Sequence, residues 1–128
     1  MTPSPRSLVW ALALAVLAGC GKGEPGLVPT EGRILYRGQP VDAGLVVFTP
    51  DGERGNAGPL AWAEIQRDGR FRLKSDERDG AVVGWHRVTV AGSSQRVIVP
   101  PHYRDPDRSR LLREVKPGSA GPVDLHLD

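Results

Sequence analysis

One thiol, three imidazoles and a few clusters of carboxylates, hydroxyls and arginines are the groups in this chain with chemistry to offer. Cys20 is the sole cysteine, so the chain has no internal disulfide and no multi-cysteine zinc pattern. His86, His102 and His126 stand far apart without an HExxH or H-x-H spacing, and they supply no zinc pattern either. Ser93, Ser94 and Ser109 lack the Gly-x-Ser-x-Gly elbow of a nucleophilic serine. Asp76, Glu77 and Asp79 in SDERDG, and Asp105 and Asp107 in RDPDR, are oxygen ligands without EF-hand spacing. Arginines among them predict solvated or ion-paired loop carboxylates rather than a calcium site. No metal, cofactor or catalytic constellation is assigned. The sharpest remaining signal is aromatic. Trp62 and Trp85, with Arg70, Arg72 and Arg87 on the same or nearby strands, are candidate ligand-binding residues, because exposed indoles stack on sugar rings or anchor protein contacts.

Cys20 ends an apolar run from Leu8 to Gly19 and precedes the polar segment GKGEPG. A helix of that run spans roughly 18 Å, short of the ~30 Å hydrocarbon core, so a stable membrane span is not expected. One positive charge (Arg6), a short apolar region and then small residues form the pattern of a secretory signal. The ending Leu17-Ala18-Gly19-Cys20 resembles the bacterial lipobox. That resemblance implies cleavage before Cys20 and acylation of its thiol by diacylglycerol, making the membrane the first partner. Small residues suit a narrow peptidase site, and only a thiol gives the thioether-linked lipid. Two or three acyl chains exceed what stable attachment needs. The expected organisation is a signal peptide over 1–19, a flexible Gly/Pro-rich tether over 20–29 and one domain over 30–128. Gly21 is not the Asp that retains enteric-type lipoproteins in the inner membrane, which tilts the expected location towards the outer membrane, on its periplasmic face or the cell surface.

The elements that must position the mature residues read as strands. With 16 Gly and 12 Pro in 128 residues, turns and short strands are favoured over long helices. Period-2 alternation recurs over 30–37, 44–49, 60–66, 70–74, 85–91 and 123–127, with shorter candidates at 96–99 and 111–115. Thr30, Gly32, Ile34 and Tyr36 share one face, as do Ala61, Ala63 and Ile65, and again His86, Val88 and Val90. Asp68-Gly69 between alternating runs predicts a hairpin with positive φ at both turn residues. The parity of Trp62 and Trp85 puts both indoles on outward faces of strands that could be neighbours; the competing reading lays them under the Gly-rich loop or the C-terminal segment, on strand faces that are partly covered. His86 belongs to the core or its edge. These patterns predict an all-β, single, seven-stranded Greek-key sandwich with essentially no helix.

Four blocks carry a family resemblance: GRILYRGQPVDAGLVVFTP (32–50), AEIQRDGRFRL (63–73), DGAVVGWHRVTV (79–90) and VPPHYRDPDRSRL (99–111). In their order and spacing the sequence resembles bacterial exported lipoproteins of the carboxypeptidase regulatory-like family, with a transthyretin-like or Ig-like sandwich. The resemblance implies a fold and an exported location. It does not imply peptidase activity, since the chain after Cys20 is too short for a catalytic domain.

The net charge of +2, with acids and bases interleaved and no long basic run, argues against nucleic-acid binding. The expected function is a non-catalytic, lipid-anchored module of the cell envelope whose partner is an envelope protein or polysaccharide; the oligomeric state is left open. The alternative is a carbohydrate-binding module using Trp62 and Trp85, and the remote one a metal-dependent enzyme.

Overall fold

A computed structural model describes residues 26–118 and 122–128. The segment read as a signal peptide, the Leu17–Cys20 motif and the start of the span read as tether therefore lie outside the described residues. Among the described residues twelve strands form three sheets, and the only helical turns are two short 3-10 segments, Gly52–Arg54 and Pro101–Arg104. None of the described helices is long and apolar enough to cross a membrane.

The largest sheet has six strands in the order β11 (Leu111–Val115), β10 (Gly84–Gly92), β4 (Gly44–Pro50), β5 (Ala61–Glu64), β7 (Lys74–Ser75) and β8 (Arg78–Asp79). Its spine is the antiparallel pair β10 and β4, in register from His86 opposite Pro50 to Gly92 opposite Gly44. The second sheet centres on β2 (Glu31–Tyr36). On one edge β2 takes β12 (Leu125–Leu127) in parallel; on the other, β6 (Arg70–Arg72) and β3 (Gln39–Pro40) follow one another. A small ribbon joins β1 (Leu27–Val28) to β9 (Ala81–Val82), so sheet structure begins at Leu27, within the span read as tether.

The two larger sheets pack face to face in a sandwich-type arrangement. Ile34, Phe71 and Leu125 come from one side and Val46, Phe48 and Val88 from the other, all essentially buried. Phe48 and Phe71 meet across the layers with ring centroids 6.2 Å apart. Thr30, Gly32 and Ile34, then Ala61, Ala63 and Ile65, then His86, Val88 and Val90 are all buried as their alternation predicts, while Tyr36 at the end of the first set is half-buried against the core. Gly32 has a further reason to lack a side chain, since a Cβ there would lie 1.8 Å from the Val123 carbonyl oxygen.

Three local expectations are corrected. Twelve described strands replace the expected seven, because one run is divided between partners and two-residue strands form at 27–28, 39–40, 78–79 and 81–82, outside the runs read as strands. The divided run is 70–75: β6 pairs β2 and β7 pairs β5, while Leu73 between them donates its N–H to Thr30 O. A strand that passes from one sheet to the other makes a corner of the sandwich. The Asp68-Gly69 turn exists, but only Gly69 has positive φ, and its N–H donates to Gln66 O. That is the longer hairpin loop with a left-handed glycine rather than a two-residue one. Two-residue turns with positive φ at both positions occur instead at Arg37-Gly38 and Asp76-Glu77. Residues 96–99 form no strand, because Ser94 Oγ accepts hydrogen bonds from the N–H groups of Arg96 and Val97 and holds a turn there.

Candidate functional site

The outer face of the six-stranded sheet carries the residues singled out for binding. Its out-pointing positions include Trp62 and Glu64 on β5, Leu45 and Val47 on β4, and Trp85 and Arg87 on β10. Trp62 stands directly opposite Val47, with Leu45 two residues further along β4. Trp62 is 44% exposed and Leu45 43%, so this strip is apolar and open to solvent.

The two tryptophans do not form one platform. β4 lies between β5 and β10, and Trp62 is level with Val47 and Thr89, four residues from Trp85. At strand spacings of about 4.8 Å across and 3.3 Å along, the two backbones are roughly 16 Å apart. The expectation of adjacent strands is thereby corrected; the strand that separates them is the one whose pairing local alternation does not specify. Trp85 is half-buried, with the Arg54 guanidinium 5.5 Å from its ring centroid. Arg70 and Arg72 lie on the other sheet, paired with Arg33 and Glu31 of β2.

Arg87 is the hub of an ionic network. Its Nε lies 3.4 Å from Asp51 Oδ1, one terminal nitrogen 2.9 Å from Glu53 Oε1 and the other 2.7 Å from Asp107 Oδ1. Asp51 is only 4% exposed. It also accepts the N–H of Glu53 and faces Arg54 Nε at 3.5 Å. Each nitrogen of the guanidinium thus has a carboxylate, and the group ties β10 to the 51–54 turn and to the 105–110 loop. Asp107 is ion-paired as read from the sequence, and Asp105 faces Arg108 at 3.8 Å. Asp51 and Glu53 are the members that sequence reading missed. Pro50-Asp51-Gly52 has only the signature of a turn, and nothing local marks a carboxylate that pairs with a distant arginine.

The histidines remain separate. His102 is exposed beside Tyr103 and His126 is exposed on β12. His86 is fully buried, 5.7 Å from Phe48 between ring centroids. Its Nδ1 lies 3.0 Å from Gly84 O, which accepts only, so Nδ1 carries the proton of the neutral ring. Nε2 is buried and bonded by no described group. Burial holds the His86 pKa below the usual histidine value, against the smaller opposing pull of the Gly84 carbonyl. Above about pH 6.5 the ring is neutral folded or unfolded and adds no pH dependence. Below that the unfolded chain takes up a proton that the folded chain refuses, so stability falls. Urea melts at pH 7.5 and pH 5 are expected to show a larger acid loss for the wild type than for His86→Leu. Equal losses would contradict this assignment.

The buried serines, Ser75 and Ser109, donate to Gly80 O and Val88 O at 2.8 and 2.6 Å and so serve the backbone. Among the described residues no group of three or more His, Cys, Asp or Glu side chains is arranged to hold a metal ion. In comparisons with known proteins, no family model, no curated protein and no solved structure matches this chain.

Proposed function

We propose that this protein is a lipid-anchored, non-catalytic module of the bacterial cell envelope. In this reading residues 1–19 are a signal peptide and acylated Cys20 attaches the chain to the outer membrane. The domain is a transthyretin-like or Ig-like Greek-key sandwich of the carboxypeptidase regulatory-like kind, and it works by holding a partner. The observation that supports a binding role is the Leu45, Val47 and Trp62 strip on the outer sheet face. An exposed tryptophan beside aliphatic neighbours, rimmed by Glu64 and by Lys74 opposite the indole, has the anatomy of a small protein contact: an apolar centre with a polar edge. Saccharide stacking on Trp62 and Trp85 together is the weaker reading, given the strand between them.

A photo-crosslinking residue in place of Trp62, in membranes from cells making the full chain, is expected to give one adduct of defined mass. The adduct should be lost when Leu45→Asp is added. The same crosslinker in place of exposed Lys116 should give none. Identical adducts from both positions, or none from position 62, would remove the binding role of this face.

A further inference from the structure

With five residues, β11 is the longest of the described strands that stands at the edge of a sheet. Such an edge presents backbone N–H and C=O groups to any extended chain, a second copy of the protein included. The hydrogen bonds of β10 fix which residues carry them. Asp51 N–H donates to Trp85 O and Ser93 N–H to Ala43 O, so the odd-numbered residues of β10 turn their backbone groups towards β4. His86 and Val88 therefore turn theirs towards β11, where they stand opposite Arg113 and Leu111. Leu112 and Glu114 are left with their N–H and C=O groups directed at the open edge.

The side chains of β11 contain one departure from pattern. Leu111, Arg113 and Val115 share the parity that faces the core, opposite Val88, His86 and Gly84. Val115 is buried and Leu111 packs against the core from its margin. Alternation calls for a third apolar side chain at 113, beside the buried His86, and the chain has an arginine there. Arg113 is half-buried, and its Nη1 donates to Leu112 O at 2.9 Å. The guanidinium thus folds back on the edge and occupies one of its outward acceptors. Core packing would be served better by valine. An inward-facing charge is, however, one of the ways in which a sheet edge is made unfit for further pairing.

We infer that Arg113 guards this edge and keeps the protein from pairing with a second copy of itself through β11. An antiparallel copy that uses both outward residues sets Leu112 opposite Glu114 of that copy and Arg113 opposite its own counterpart. Two like charges then stand directly across a strand pair, which is unfavourable. Each arginine also withholds Leu112 O from the incoming Glu114 N–H. The guarded edge lies beyond β10, on the other side from the β4 and β5 residues of the Leu45–Trp62 strip, and the inference stands or falls apart from that strip.

Sedimentation of the detergent-solubilised full chain, in solvent matched to the density of the detergent, tests the inference. The wild type is expected to show no association that depends on β11. Arg113→Val and Arg113→Thr should form dimers with a dissociation constant at least tenfold below that of the wild type, since two recovered hydrogen bonds alone are worth roughly that factor. Arg113→Lys, which keeps a charge at the edge, should behave as the wild type. Glu114→Pro removes an outward N–H, and its addition to either dimerising variant should restore the wild-type state. Thermal melts confirm that each variant is folded. Dissociation constants unchanged in both Arg113→Val and Arg113→Thr, dimers that survive Glu114→Pro, equal association of Arg113→Lys, or a wild-type dimer that Glu114→Pro alone dissociates would overturn the inference.

Discussion

Replacing Arg87 with alanine is expected to destabilise the domain by about 3 kcal/mol, more than a surface arginine should. The reason lies in what is left behind. Asp51 is 4% exposed with Arg87 in place, and its nearest remaining cation is Arg54, whose Nε is 3.5 Å away and whose side chain is half-exposed. Removing one partner of a buried pair leaves an uncompensated charge, which typically costs 3–5 kcal/mol. The low end applies because Arg54 remains. Glu53 and Asp107 are 83% and 78% exposed, so their contacts with Arg87 are screened and add little. For a domain of this size the change corresponds to a fall in Tm on the order of 10–20 °C. The double variant Asp51→Asn/Arg87→Met, which removes both charges and keeps an aliphatic stem, should lose less than Arg87→Ala alone. A Tm within about 2 °C of wild type for Arg87→Ala would show that the network is not structural, and would return Arg87 to the pool of free binding residues.

The same network shows how far local sequence carries. β2 and β10 were legible because alternation over five or more residues pins which face is buried, and a one-residue slip would expose the whole apolar set. His86 was placed correctly for that reason, by its parity with Val88 and Val90. Which strands become neighbours is a different matter. Alternation is identical whether Arg70 to Ser75 pairs with one sheet or changes partner at Leu73, and the change is fixed by the Thr30 carbonyl, far off in the chain. The gap between Trp62 and Trp85 was hidden likewise. The unexpected carboxylates illustrate a third limit. Asp51 sits in a Pro-Asp-Gly turn, where aspartate is favoured for its local hydrogen bond, and it does make one, to the Glu53 N–H. Its second role, facing Arg87, leaves no local trace.

The second large effect concerns attachment, the part of the proposed function on which the rest depends. Each buried CH2 of an acyl chain adds about 0.8 kcal/mol to membrane affinity, so one chain binds reversibly while two or three hold permanently. Covalent geometry limits the chain between Cys20 and the first strand residue, Leu27, to a reach of about 25 Å. An acylated Cys20 would thus keep the sandwich, and its candidate binding face, next to the bilayer. Cys20→Ala removes the only thiol and should release that attachment completely.

The most direct measurement is the intact mass and N-terminal peptide of the full-length protein recovered from the membrane fraction of cells fed labelled palmitate. The wild type is expected to begin at Cys20, to carry a diacylglyceryl thioether there and to hold the label. Cys20→Ala should carry no label and retain residues 1–19. Equal labelling of the two proteins, or a wild-type chain that begins anywhere but at an acylated Cys20, would contradict the account.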